Sequence, residues 1–197
     1  MRTPYYESTI HRQIREKRED RKDRIKGDLM FYGNDVLKSE EMKKAFEQTH
    51  HQWSTVGEHT FRVAFSSVMI CYALRKLNIK VSIPAVVVGA LCHDLGILGR
   101  NEKFSSAKEC SREHPKESVE VAREIVSDMP EGTEDIIERH MWPAGETEAP
   151  NSIEGVVVSV ADKYSAVKDI VKGSEIKNTG VKNYLRNGKQ KIVNKIK

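Results

Sequence analysis

ALCHDLGILGR, residues Ala90–Arg100, is the stretch whose reading decides the fold. His93 and Asp94 stand side by side in it, at the end of an apolar run that begins at Ile83. An imidazole and a carboxylate placed in or beside a core each need a partner. A metal ion satisfies both at once, with the His nitrogen as one ligand and the Asp oxygen as a second, bridging one. A His-Asp pair alone is weak evidence. The weight comes from His59, His114, His140 and Asp162, each of which sits where a helix carries it toward the same point.

The run Ile83–Cys92 (IPAVVVGALC) is Val-rich and could be a strand by propensity. Its Ala and Gly content, and the lack of other strong strand signals, favour a buried helix, with Pro84 in the first turn. Gly96 and Gly99 break it. Upstream, His50–Glu58 (HHQWSTVGE) reads as a loop entering a helix, with Ser54 or Thr55 as cap and Glu58 in the first turns. The spacing predicts a helix over His59–Leu77, with an apolar stripe of Phe61, Ala64, Phe65, Val68, Ile70, Cys71 and Leu74. His59 opens this helix. Taken alone it reads as a core histidine bonded to a backbone carbonyl. Arg62 lies one turn on, on the same face, and can hold a phosphate. His50 and His51 are ambiguous.

Downstream, Arg100–Cys110 reads as a polar loop carrying Arg100, Lys103 and Lys108. A helix follows from about His114-Pro115, capped by Ser111 or its neighbours, through Val119, Val121, Ala122, Ile125 and Val126. Thr133 caps a helix over Glu134–His140, with His140 at its end before Met141-Trp142-Pro143. Trp142 is suited equally to stacking on a nucleobase or to packing on the bundle. Ile153–Ile170 reads as a helix with apolar Val156, Val157, Val158, Val160, Ala161 and Val167. Asp162 falls on or beside that apolar face, and unpaired there it costs several kcal/mol unless it binds metal.

The ends differ in character. His11–Lys26 holds eight Lys or Arg and four Asp or Glu with almost no apolar residue. Interspersed acids favour a solvated helix with weak exposed pairs, such as Arg12 with Glu16, over a basic arm for nucleic acid or acidic lipid. Phe31, Val36, Leu37, Met42 and Phe46 continue a weak helical pattern. The tail from Lys168 to Lys197 has nine Lys or Arg against two acids, and reads either as holding an amphipathic helix around Val181–Ile196 or as partly disordered. The 197 residues, 38% hydrophobic and 31% charged, fit one domain with extensions. A net charge of +4 does not itself imply nucleic acid. The longest apolar run is too short to span a bilayer. The charged N-terminus does not read as a secretory signal. Cys71 and Cys92 read as buried free thiols, and with Cys110 they show no metal-type pair spacing, which suits a reducing cytoplasm.

The series His59, His93-Asp94, His114, His140 and Asp162 resembles the HD-domain superfamily of metal-dependent phosphohydrolases. HDLG at an apolar helix end, Asp162 within VSVADKYSA and the approach HHQWSTVGEH carry the resemblance, over about residues 50–170. It implies an all-α fold, an HD helical bundle with charged N- and C-terminal extensions. The divisions are residues 1–48 as a charged helical extension, 49–172 as the HD domain and 173–197 as a basic tail.

Carried over residue by residue, the resemblance makes His59, His93, Asp94 and Asp162 the ligands of a first metal. Asp94 bridges to a second, held also by His114 and His140. The metals implied are two divalent ions from among Fe, Mn, Mg and Zn. Asp94, Arg62, Lys103 and Lys163, with Arg100, are the candidates for catalysis or for balancing phosphate charge. The function implied is hydrolysis of a nucleotide or other small phosphoester by a metal-activated water. The chain lacks a GYP signature, and Ile97 stands where the cyclic-dinucleotide phosphodiesterases of the HD-GYP branch carry Lys, so that substrate is not implied. Two other classes share the pattern: an HD-fold di-iron oxygenase, and a non-catalytic regulatory protein contacting nucleic acid through its basic ends. No membrane partner is expected, and the sequence does not state an oligomeric state.

Overall fold

A computed structural model describes residues 9–51, 54–144 and 146–179. The described chain is almost entirely helical: α1 Thr9–Tyr32, α2 Asn34–Lys38, α3 Glu40–Glu47, α4 Val56–Lys76, α5 Ile83–Cys92, α6 Arg100–Lys103, α7 Ala107–Ile125, α8 Thr133–Glu138 and α9 Ile153–Thr179. A short antiparallel hairpin, β1 Thr49–His51 with β2 Ser54–Thr55, precedes α4. The all-α reading therefore holds. The expected loop at His50–Glu58 is instead part of this hairpin, which pairs Thr49 with Thr55, followed by the first turn of α4. The expected tail helix around Val181–Ile196 lies outside the described residues.

Helix α5 is the axis of the bundle. Every residue of Ile83–Cys92 but Pro84 is buried. Ser82 caps its start, accepting a hydrogen bond from the Ala85 amide. A continuous apolar run with no exposed face suits a helix surrounded by others. Helices α1, α4, α8 and α9 pack around it. Of the two caps the sequence offers, Thr55 serves, forming a capping box with Glu58, and α4 starts three residues before the expected His59.

Three local differences follow from packing. Helix α7 begins at Ala107, capped by Ser106, two turns before the expected start at His114. His114 therefore lies mid-helix, and Pro115 sits within the helix. On α9, Val157, Val158, Ala161, Asp162, Ser165 and Asp169 face inward, while Val156, Val160 and Val167 are exposed. A row of valines at consecutive positions cannot all lie on one side of a helix. On α1, Phe31 is 77% exposed, and Ile25 and Leu29 are the core residues instead.

Cys71 and Cys92 are buried free thiols, and burial pushes both up to about 12. None of the described helices is long and apolar enough to cross a membrane.

Candidate metal centre

Five helices deliver imidazoles and carboxylates to one point. His59 comes from α4, His93 and Asp94 from the end of α5, His114 from α7, His140 from just beyond α8 and Asp162 from α9. All six are buried. The structure thus brings together the whole metal set expected from the sequence.

The ring orientations share one cause. Nδ1 of His93 donates to the Ala90 carbonyl at 2.8 Å, Nδ1 of His114 to Cys110 at 2.7 Å and Nδ1 of His140 to Ile137 at 2.7 Å. The proton assignment follows from the carbonyl partners, which can only accept. Two of these carbonyls sit at helix C-terminal ends, where helical donors run out. Each ring therefore turns Nε2 inward, the arrangement in which an imidazole ligates metal.

Asp94 lies between two groups. Its Oδ2 is 3.4 Å from His93 Nε2 and 3.7 Å from His59 Nε2. Its Oδ1 is 3.3 Å from His114 Nε2 and 3.5 Å from His140 Nε2. Asp162 Oδ1 completes the first group, 2.9 Å from His59 Nε2 and 3.8 Å from His93 Nε2. Ligands about 2.1 Å from one ion stand roughly 3.0 to 3.4 Å apart, so these separations suit shared ions.

Two observations test whether a cation fits. His93 Nε2 is fully buried and has no hydrogen-bond partner. His114 and His140 present Nε2 to Nε2 at 3.1 Å with both Nδ1 protons already committed to carbonyls. With both rings neutral, the two lone pairs face each other at that distance, and a cation beside them relieves the repulsion. The donor set fits divalent ions on both sides of Asp94.

Electrostatics agrees. Burial opposes ionisation of Asp94, but the surrounding imidazoles hold its carboxyl well below the usual range. Burial likewise opposes ionisation of Asp162, and His59 outweighs it. Burial would push His59 down; the Asp162 and Asp169 carboxylates instead hold it up at about 9. Burial pushes His140 down. Titratable groups perturbed this strongly cluster at functional sites.

A cavity of about 650 Å³ opens on the cluster, lined by Asp94, His114, Asp162, His50, Arg100 and Lys163 among others. Lys163 Nζ donates to Asp162 Oδ2 and to the His140 carbonyl, both at 2.8 Å. Arg100 donates to the Thr49 and His50 carbonyls at 3.3 Å. The other two candidate cations do not reach this cavity. Arg62 is captured by the buried Asp169 carboxylate, with Ser165 Oγ 3.4 Å from its Nε. Lys103 is exposed, with Nζ 3.8 Å from Glu117, because α6 turns it outward. Trp142 is not among the residues that line the cavity.

Sequence reasoning left out Asp169 and left His50 ambiguous. Asp169 is buried, accepts from Ser54 Oγ at 2.9 Å and lies 3.7 Å from His59 Nδ1. It sits seven residues after Asp162, two turns along one face, and that spacing was the available signal. His50, with Nε2 3.6 Å from Asp94 Oδ2, had no periodic signal because a hairpin places it.

With this geometry in view, a family profile described as HD domain matches residues 56–167, more than half of the chain. The chain belongs to the HD-domain family. HD domains bind divalent metals, and most are metal-dependent hydrolases. Among solved structures, this HD domain is similar to a conserved hypothetical protein from Pyrococcus furiosus, at 19% identity and a TM-score of 0.46, covering 79% of this chain and 95% of that one. No curated protein sequence matches.

Proposed function

We propose that this HD domain is a divalent-metal-dependent phosphohydrolase acting on a small phosphoester such as a nucleotide, with two ions sharing Asp94. The observation that carries the reading is the split of the Asp94 carboxylate, Oδ2 toward His59 and His93 and Oδ1 toward His114 and His140, at the wall of a substrate-sized cavity. Its volume lies in the range that accommodates small organic ligands.

Divalent ions held by His59, His93, Asp94, His114, His140 and Asp162 would supply Lewis acidity and an acidified water for displacement at phosphorus. The protein's own groups do the rest. Lys163 spends two donors on Asp162 and the His140 carbonyl, which leaves one of three for a phosphate oxygen. Arg100 keeps donors beyond the two it gives to the hairpin carbonyls. Ser105, Ser106 and Ser111 supply hydroxyls, and Ile97, Phe104 and Met141 an apolar wall for the organic part. Asp94 is the pivotal residue, and Arg62 and Lys103 lose their proposed catalytic roles. Four imidazoles favour first-row transition ions over magnesium.

The test is metal content and phosphate release for wild type and Asp94→Ala, purified without chelator and assayed on nucleotides and sugar phosphates. Two metals per wild-type chain, with turnover lost together with metal in Asp94→Ala, is the expected result. Metal-loaded wild type that releases no phosphate from any substrate would falsify the reading. Dioxygen uptake by the iron-loaded form would direct it to the oxygenase class instead.

A further inference from the structure

We propose that His50 is an additional ligand of the metal centre, supplied by the β1–β2 hairpin to the ion position on the His59–His93 side of Asp94. This rests on the reading of the buried cluster as a metal centre.

Three imidazole Nε2 atoms ring the same carboxylate oxygen. His93, His50 and His59 stand 3.4, 3.6 and 3.7 Å from Asp94 Oδ2. None of these is a hydrogen-bond distance between nitrogen and oxygen. The His93 distance falls within the spacing kept by two ligands of one ion, and those of His50 and His59 lie just beyond it, close to one another. His50 therefore approaches Asp94 as the two helical histidines do. Its ring lies 4.6 Å from that of His59, tilted by 39°, so the two rings converge without stacking flat. Its side chain is 11% exposed and forms part of the cavity wall. His50, His59 and Asp94 each offer a donor atom within 4.8 Å of the others.

The position is built rather than incidental. The segment that follows the His-Asp pair grips the strand that carries His50. Gln48 donates to the Ile97 carbonyl at 2.9 Å and accepts from the Gly99 amide at 2.8 Å. Arg100 reaches the Thr49 and His50 carbonyls. Val56, at the foot of the hairpin, donates to the Gln48 carbonyl at 2.9 Å. Hairpin and His-Asp loop are thus tied together at Gln48, Thr49 and His50 itself.

The consequence is an asymmetric centre. The Oδ2 side of Asp94 carries His50, His59, His93 and Asp162. Among the described residues, the Oδ1 side carries His114 and His140. An ion on the first side is close to coordinatively full, and the second side keeps more positions for water and substrate. The ligand from the hairpin is also the one that a small backbone movement can withdraw, because it rests on a two-stranded ribbon rather than a packed helix.

The experiment is cobalt(II) titration of metal-free wild type, His50→Ala, His50→Cys and, as reference, His59→Ala. Each is followed by visible absorption and by competition with a chelator. His50→Ala should still fill at saturating cobalt, but hold one ion roughly 10- to 100-fold more weakly, with a more intense absorption as the coordination number falls. His50→Cys should show a thiolate-to-cobalt charge-transfer band absent from wild type, whose own Cys110 lies on the cavity wall. That band reports coordination directly and does not depend on stability. Wild-type affinity and spectrum in His50→Ala, with no band in His50→Cys, would overturn the proposal and leave the metal centre standing. Wild type that takes up no cobalt would overturn the metal centre itself.

Discussion

Asp169 shows how a residue that ligates nothing shapes the centre. Its carboxylate takes the Arg62 guanidinium and the Ser54 hydroxyl and faces His59 Nδ1. Burial opposes its ionisation, and His59 and Ser54, with Arg62, hold it down at about 2. A carboxylate behind an imidazole orients the ring and raises its basicity toward metal. Asp169→Asn preserves the shape and removes the charge, so metal affinity should fall roughly 10- to 100-fold in a chelator competition while the fold is retained. Unchanged affinity would show that His59 is positioned by packing alone. His59 also links metal to protons. Below about 9 the metal-free imidazole is protonated, and an ion can bind only after that proton leaves. Loading at neutral pH should therefore release protons, and apparent affinity should rise with pH up to about 9 and then level. Calorimetry in buffers of different ionisation enthalpy measures this, and zero release counts against the His59 assignment. The same raised value stabilises the metal-free fold fully below about 6.5, a contribution lost as pH climbs through about 9.

At the scale of elements, the join between the His-Asp loop and α7 sets the distance from Asp94 to His114. The Gly96 amide donates to Ser118 Oγ at 2.9 Å, wholly buried. A Cβ on Gly96 would meet the His114 carbonyl at 2.4 Å and the Ser118 amide at 2.5 Å. Those atoms are backbone of α7 and cannot step aside, so Gly96 is required by close approach. Gly99, at φ 70°, is required by conformation. Ser118→Ala leaves a buried amide unpaired and should cost about 1 to 3 kcal/mol in denaturant unfolding. Gly96→Ala should cost more and also weaken the second metal, since it pushes α7 and His114 away. A Gly96→Ala protein with native stability would mean that this contact is loose. The early start of α7 was hard to read from sequence, because Ser106, Ser111 and the residues near Pro115 are all acceptable helix starts. Ser106 prevails by accepting from the Glu109 amide, and Pro115 is tolerated inside the helix.

In the whole molecule, the charged first half of α1 and its second half behave differently. Residues 12–24 are exposed, with pairs such as Lys22–Glu19 at 2.7 Å that contribute little. Ile25 and Leu29 enter the same core as α5, and Tyr72 on α4 bonds Asp28 beside them. Leu29→Ala should destabilise by about 2 to 5 kcal/mol in chemical unfolding, whereas removal of residues 1–20 should shift stability by less than about 0.5 kcal/mol. A large loss from the truncation would show that the exposed half packs against something. The sequence by itself determined the helical class, the buried run of α5 and a capped start for the helix that carries His59, and its likeness to the HD family pointed to the six-residue set around Asp94. The first three follow from local rules, periodicity and capping chemistry, and the set follows from the order of its motifs along the chain. Only the tertiary structure decided that Arg62 serves Asp169 rather than the cavity, that Lys103 faces solvent, and that His50 and Asp169 join the centre. The reason is physical. A helix face can be read from spacing, but which of several cations reaches a given carboxylate depends on how helices distant in the chain pack, and a histidine on a hairpin is placed by contacts some 50 residues away, from Gln48 to Ile97 and from Arg100 to His50.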